Sequence, residues 1–510
     1  MLGVDIGTTS TKAVLYQENG EIVASENNGY PLYTPDSHTA EQDPEEIFEA
    51  VLLSIGNIMK KSGIDPKDLS FISFSSAMHS VIAVDENGRT LSRCITWADN
   101  RSVKWAEKIK TELQGNEIYK RTGTPVHPMS PLCKIAWLEH DVPEIAAKTK
   151  KYIGIKEYVF FRLFNEYVVD YSIASCTGLM NLKTLSWDPD ALKVAGITEE
   201  KLPRIVSTQE VFTGCNRSLA DQMGILPETP FVIGASDGVL SNLGVGAVKN
   251  GEVAVTIGTS GAIRTVIPKP KTDPKGRIFC YALTEDHWVI GGPVNNGGIV
   301  LRWIRDELAA AEAETAKSFG MDPYDALTKI AGRVKPGADG LLFLPYLAGE
   351  RAPLWNADVR GSFVGLTLSH KKEHMIRAAL EGVLYNLYSV FLALVEVMDQ
   401  SVTSIKATGG FARSQLWRQM MADIFDQEVI VPESHESSCL GACLLGLYAF
   451  GKIDSFDVVN DWIGKTHQHK PDSSHVQEYR KWIPVFIRLS RVLEPEYNQL
   501  DAQSNHNGWE

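Results

Sequence analysis

The sequence predicts an α/β protein of two related domains, each a mixed β-sheet flanked by helices. Three observations carry that prediction. The chain has 510 residues, 44% of them hydrophobic, which is too long for one compact core and divides into two large domains or a few smaller ones. Its first ninety residues run strand, strand, strand, helix, strand. And VDIGTTSTKAVL, from Val4, is echoed by VTIGTSGAIRTV, from Val255: Asp5 falls on Thr256, an offset of 251 residues, close to half the chain. A repeat on that scale is too long-ranged for a solenoid. It reads as two domains that each open with the same strand–turn–strand unit.

The elements follow in order. LGVDI, KAVLY and EIVAS are short β-type runs, and QENG between the last two carries the Asn-Gly of a tight turn. A second such turn, Glu86-Asn87-Gly88, follows the apolar run VIAV. Between them a helix starts at DPEE: Asp43 caps it, Pro44 suits its first position, and Glu45 and Glu46 complement its dipole. Ile47, Phe48, Val51, Leu52, Ile55, Ile58 and Met59 form its apolar face, and the strand FISFS comes next. The junction between domains falls near LGVGAVKNGE, giving domains 1–246 and 247–510 joined without a long linker. Two turns rich in amides and hydroxyls could then face a shared cleft, where ligands commonly lie. Further on, IKATGGFARSQLWRQMMADIF reads as strand, Gly-Gly turn and helix, with Leu416, Met420 and Ile424 on one face.

Composition removes several functions. The formal net charge of −13 argues against a nucleic-acid binder. The seven cysteines form no CxxC pair, and Cys439 and Cys443 lack histidine partners for zinc, so buried small side chains in a reducing cytoplasm are the reading. No basic leader or cleavage site opens the chain. The most apolar stretch, from Ala378, is interrupted by Glu381, Asn386 and Glu396, which favours a buried or amphipathic helix over a membrane span.

Several short stretches could carry chemistry. The turn Gly7 to Lys12 offers backbone N–H groups, hydroxyls and a cation, which are the groups that bind polyphosphate. It is not a Walker A loop, because GxxxxGK[ST] is absent and a strand follows. Asp5 either holds Mg²⁺ through water or caps the turn. The echo, Ile257 to Ala262, has less charge; Thr259 and Ser260 are its donors, and Gly258 and Gly261 let backbone approach a ligand. Asp237 stands where the apolar run PFVIGAS ends and a helix begins. It is either a helix cap or, beside two phosphate-type turns, a base for phosphoryl transfer. Gly409-Gly410 lets a flat or anionic ligand approach backbone. Met78 and His79 lie past a strand end, and Trp97, Asp99 and Arg101 add a stacking face, an acceptor and a forked donor, a set that suits a polyol pocket unless Arg101 simply pairs with Asp99.

On these residues the chain resembles the FGGY family of carbohydrate kinases, within the actin/hexokinase/Hsp70 ATPase superfamily. DIGTTSTKAV and TIGTSGA are similar to its two phosphate motifs, and ATGGFARSQLWRQMMADI to its adenosine motif. GSFVGLTLSHKKEHMIRAALE, from Gly361, matches one family signature and MSPLCKIAWL, from Met129, most of the other, with His140 departing from its polar ending. The resemblance implies two actin-like (ribonuclease H-like) domains with a nucleotide cleft between them. It implies ATP and Mg²⁺, with Asp237 as catalytic base and Asp5 supporting the metal. Thr8, Thr9 and Lys12 would meet phosphate from the first domain, and Gly258 and Thr259 from the second. Gly298 and Arg302 would flank the nucleotide, and Gly409 and Gly410 would line the adenosine pocket. Ser414 stands where several members carry Asn. Met78 and His79 match a substrate motif that many xylulokinases write GQMHG; here it is SAMHS.

SFSSAMHSVIA, CITWADNRS and VIGASDGVLSNLG are most similar to the bacterial members that act on a sugar acid. The implied reaction is transfer of the ATP γ-phosphate to the 6-hydroxyl of D-gluconate. A carboxylate on the substrate needs a cation or several N–H donors, for which Arg101, His79, Lys156 and Lys134 are the basic side chains available. The rivals are a family member for another sugar, xylulokinase-like or ribulokinase-like, an ATP-driven interaction protein like actin or Hsp70, and a sugar-binding regulator that has lost catalysis. After residue 452 only one helix, HVQEYRKWIPVFIRLSRVL, is foreseen, too little for a peptide-binding domain. The expected partners are small molecules alone, with no nucleic acid and no membrane, in the cytoplasm. A homodimer is compatible with the reading, and the sequence is silent on it.

Overall fold

The computed structural model describes residues 1–432 and 437–506, with side chains described as far as 500. The end of the second foreseen domain, 507–510, lies outside the described residues.

The chain forms two compact units, and neither is one unbroken stretch. The first takes Met1–Lys249, Val266–Ile290 and Glu436–Gly464; the second takes Asn250–Thr265, Gly291–His435 and Lys465–Glu510. A single cut at 246/247 therefore describes only the end of the first long segment. Two later segments return to the first unit. One carries the helix Ser437–Ala449, which packs on the helix Asp237–Gly244. That packing is close enough that a Cβ on Gly441 would meet the Leu240 carbonyl oxygen at 2.0 Å.

In the first unit a six-stranded sheet has the order Val211–Phe212, Phe231–Ser236, Ile72–Ser76, Leu2–Ile6, Ser10–Tyr16, Ile22–Gly29. Leu2–Ile6 is antiparallel to Ser10–Tyr16 and parallel to Ile72–Ser76, which is parallel to Phe231–Ser236. The sheet is mixed, as foreseen. Its register matters more than its order. Ile6, Ser76 and Ser236 share one row, so three chains leave the sheet at one edge, as Gly7, Ala77 and Asp237. The carboxyl ends of parallel strands are where α/β folds place their ligands.

The helix Pro44–Ser62 covers this sheet. Asp43 caps it by accepting from the Glu45 N–H, and Gly63, at φ 66°, ends it with its N–H on the Met59 carbonyl. All seven residues of its foreseen apolar face are buried. Each large side chain so placed contributes about 1.5–3 kcal/mol.

The echo is structural. Glu252–Ile257 is antiparallel to Gly261–Ile267 and parallel to Ser404–Thr408, which is parallel to Val429–Pro432. These four strands repeat the pairing of four strands of the first sheet, within a sheet of seven strands rather than six. The copies part inside the turn: four residues separate the paired Ile6 and Thr11, but three separate Ile257 and Gly261. Beyond the turn the offset thus slips by one, and the counterpart of Lys12 is Ala262.

Elsewhere the strand–Gly-Gly–helix reading becomes Ser404–Thr408, a short 3-10 turn Gly410–Arg413 and the helix Gln415–Phe425. That helix buries Trp417, Met420, Met421 and Ile424, while Leu416 is only half-buried. The apolar helix Lys372–Val397 is long enough to cross a membrane, but 78% of its most apolar window is buried inside the protein. The tail helix runs longer than foreseen, over Ser473–His506.

Candidate active site

The first turn is held by its own carbonyls. Gly7 O accepts from the Tyr30 hydroxyl at 2.7 Å, Thr8 O from Gln42 Nε2 at 2.6 Å, Thr9 O from the Tyr30 N–H at 3.2 Å and Ser10 O from the Gly7 N–H at 3.0 Å. With four carbonyls spent on the protein, the turn has N–H groups and hydroxyls to offer a ligand, and those suit an anion. Thr9 is exposed. The Thr8 hydroxyl accepts from the Trp97 indole N–H at 3.0 Å, which leaves its own proton to donate.

Asp5 and Lys12 are cross-strand partners, and Ser75 stands opposite Asp5 on its other side. The three side chains therefore share one face of the sheet, with neighbouring Cβ atoms about 5 Å apart. Asp5 Oδ1 accepts from Ser75 Oγ at 2.6 Å. In the second copy that row is Ala262, Thr256 and Thr408, with the two threonine hydroxyls 3.3 Å apart. The charged groups thus belong to the first copy alone.

Asp237 is the first residue of its helix, half-buried, and its Oδ1 accepts from the Gly238 N–H at 2.6 Å. It is thus held at a helix N-terminus, where a carboxylate is favoured. Ser236 before it is fixed by Ser172, whose Oγ lies 3.1 Å from the Ser236 N–H and 3.0 Å from its Oγ.

His79 is 6% exposed and has φ 71°, which is uncommon outside glycine. Its Nδ1 donates to the Cys176 carbonyl at 2.8 Å, so the ring keeps its proton there and turns Nε2 towards the Tyr281 hydroxyl at 3.5 Å. Its own carbonyl accepts from Lys134 Nζ at 2.7 Å, and Lys134 also donates to the Met129 carbonyl at 2.9 Å. Lys134 is fully buried, and burial lowers its ammonium to about 7. Met78 is half-buried against the core.

Asp99, foreseen as a substrate acceptor, is engaged by its own protein. It is completely buried and accepts from the Ala40 and Arg101 N–H groups and the Arg101 guanidinium. Arg101 is shared between Asp99, at 2.8 Å, and Glu41, at 2.5 Å, and lies over the Trp137 ring. Lys156 is sealed inside the fold against Asp170 at 2.6 Å.

In the second unit a cavity of about 260 Å³ is lined by Gly258, Thr259, Gly298, Arg302, Gly410 and Ser414 among the foreseen residues. A Cβ built on Gly258 or Gly410 would meet nothing within 4 Å, so both glycines leave room at the cavity rather than relieve a clash. Gly409 does the opposite: at φ 102° it lies against the Ile257 carbonyl, which a Cβ would meet at 2.3 Å. Gly298 donates to the Gly258 carbonyl at 2.7 Å and Ile299 to Thr259 O at 3.0 Å, which seats the helix Gly298–Trp303 on the second turn. Ser414 caps the next helix by accepting from the Trp417 N–H at 3.2 Å.

Sequence reasoning missed other cavity residues: Asp322, Tyr324, Asp325, Thr328, Phe411, Arg413 and Trp417. Asp322-Pro323 carried a signal, since it is the N-cap and first position of the helix Pro323–Ala331. Three aromatic residues, two arginines and two aspartates are among the lining residues, a mixture that suits a flat ring bearing hydroxyls and an anionic tail. Also missed was Glu350, buried beneath the segment before Gly298. Burial pushes its carboxyl up to about 7.

A two-domain α/β fold with a repeated strand–turn–strand unit and a turn-lined cavity defines an actin-like ATPase. The family models agree: the N-terminal domain of the FGGY family of carbohydrate kinases matches residues 1–244, and its C-terminal domain matches 253–450. The chain belongs to the FGGY family of carbohydrate kinases, phosphotransferases that use an alcohol group as acceptor. It is 70% identical over 500 residues to a gluconokinase of Bacillus subtilis (strain 168), covering 98% of this chain and 97% of that one. Among solved structures it is similar to the gluconate kinase from Lactobacillus acidophilus, with TM-score 0.92 and 38% identity over 98% of this chain and 99% of that one. A ligand-bound xylulose kinase from the same organism gives the same TM-score, identity and coverage.

Proposed function

We propose that this chain is a gluconokinase, transferring the γ-phosphate of ATP to the 6-hydroxyl of D-gluconate to give 6-phospho-D-gluconate and ADP. The observation that carries the reading is the 70% identity to the Bacillus subtilis gluconokinase over 98% of the chain. The two Lactobacillus structures fit equally well and differ in the substrate named for them, so they support the fold and leave the sugar to the nearer relative.

In this reading Asp237 takes the proton from the acceptor hydroxyl, since a carboxylate beside the hydroxyl raises its nucleophilicity as phosphate transfers. Lys12, Thr8 and Thr9, with Gly258 and Thr259, meet phosphate oxygens. Gly298, Arg302, Gly409, Gly410 and Ser414 shape the adenosine side. Met78, His79, Trp97 and Arg101 are the substrate-side group. Arg101 already lies between two carboxylates and Lys156 is paired, so recognition of the gluconate carboxylate falls chiefly to N–H and O–H donors.

Mg²⁺ fits the donor set. Among the described residues no three His, Cys, Asp or Glu side chains gather as a metal cluster. Mg²⁺ keeps several waters and needs only one or two carboxylates beside substrate phosphates. Asp5 supplies one, at the strand end that leads into the first turn. When bound, the ion would offset phosphate charge. A cytoplasmic setting accords with seven free, buried cysteines.

Product identification tests the proposal. Incubation with ATP, Mg²⁺ and D-gluconate should yield a phosphomonoester whose ³¹P signal couples to the C6 protons. Phosphate on any of the C2 to C5 hydroxyls, or ADP release without sugar phosphate, would refute it.

A further inference from the structure

Glu350 is 1% exposed and does not line the cavity, yet it ties together the segment that does. Its Oε1 accepts from the Asn295 N–H at 2.5 Å and the Arg351 N–H at 2.8 Å. Its Oε2 accepts from Asn296 Nδ2 at 3.0 Å and Asn386 Nδ2 at 2.8 Å. Asn295 and Asn296 immediately precede Gly297-Gly298, whose second N–H holds the Gly258 carbonyl at the cavity wall. Asn296 is bound a second time, donating to the Gly349 carbonyl at 2.7 Å and accepting from the Ala348 N–H at 3.1 Å. Arg351 Nε reaches Asn295 Oδ1 at 2.7 Å.

A carboxylate in this place is costly to bury. These four N–H donors, drawn from three segments of the chain, are what its oxygens receive in return. A hydrophobic residue would fill the volume but leave four donors without an acceptor. The group is therefore matched to hold this segment, not merely to fill space.

We propose that Glu350 is a positioning residue for nucleotide binding: it fixes Asn295–Gly298 and, through Gly298, the second turn Gly258–Ser260. The proposal rests on the cavity being the nucleotide site. Glutamine at this position has nearly the same shape but must aim an NH₂ at two N–H donors whichever way it is turned.

The test is calorimetric titration of the full-length protein with ADP, together with KM values for ATP and for gluconate. Gly410→Val first tests the cavity, because its side chain would occupy it. If that variant binds ADP as the wild type does, the nucleotide reading of the cavity fails, whatever Glu350 does. Glu350→Gln should weaken ADP binding about 10-fold or more, the size expected when buried donors lose their acceptor. KM for ATP should rise with it, while KM for gluconate stays within about 2-fold. The double variant Glu350→Gln/Asn386→Asp, which returns an acceptor to the cluster, should recover part of the loss. Should Glu350→Gln fail to fold, Asn386→Leu, which removes one donor of the four, should weaken ADP binding about 3-fold by the same mechanism. A folded variant with unchanged ADP affinity, or one that loses gluconate and nucleotide equally, would overturn the proposal.

Discussion

Single residues carry the reaction chemistry. Asp237→Asn keeps the helix-terminal shape but cannot take a proton, so kcat should fall about 10²–10⁴-fold. Its ADP affinity should hold, because the residue lies in the first unit and the cavity residues in the second. A calorimetric titration beside an activity assay checks both halves, and near-normal turnover would remove Asp237 as base. Lys12→Ala should raise KM for ATP and lower kcat with the melting temperature little changed, since Lys12 is half-buried on a sheet face rather than in the core. A fully active Lys12→Ala protein would return the first turn to an ordinary hairpin. At this scale the sequence offers its candidates through local motifs: Asp5, Lys12, Asp237, Gly258 and Gly410 all occur in short patterns with glycine or a strand end beside them. It was not readable at Asp99, Lys156 or Glu350. Each of these takes its role from partners far away in sequence: Ala40 for Asp99, Asp170 for Lys156, Asn295 and Asn386 for Glu350.

At the scale of elements the repeated unit is the strongest feature. The echo holds throughout in strand pairing but not in turn length, because hairpin register is set locally by each turn. A constant offset therefore aligned the glycines correctly and displaced everything after them by one. The Gly-Gly turn after Ser404–Thr408 has a definite steric cause. Gly409→Ala would force a Cβ against the Ile257 carbonyl at a φ of 102°. Such strain costs about 1–3 kcal/mol. The variant should melt several degrees lower and bind ADP more weakly. Thermal melting with and without ADP measures both effects, and a Gly409→Ala protein of wild-type stability would contradict the geometry. The Pro44–Ser62 helix was legible in full because capping, charge and apolar period agree along it. In the helix Ser437–Ala449 only the burial of Cys439 and Cys443 was legible, and not its place in the first unit, since nothing in its own composition says which sheet it covers.

The whole molecule holds buried ionisable groups whose charge it must accommodate, and these predict how stability varies with pH. Burial pushes the Glu157 carboxyl from 4.5 up to about 7. Its folded pKa is raised, so its contribution is fully present below pH 4.5 and is lost as pH rises through 7. A shift of that size corresponds to roughly 3 kcal/mol. Glu157→Gln removes the titration. Relative to wild type, that variant should gain stability between about pH 5 and pH 8, measured by urea unfolding at each pH. A stability difference independent of pH would show that Glu157 does not titrate in this range.

Gluconate is the proposed acceptor of this FGGY kinase. The direct measurement is kcat/KM in an ADP-release assay with D-gluconate, D-xylulose, D-ribulose and glycerol, each with ATP and Mg²⁺. Gluconate should exceed every neutral substrate by at least about 100-fold, the discrimination a site built to hydrogen-bond its substrate readily reaches. A neutral sugar or polyol that matched or exceeded gluconate would contradict it.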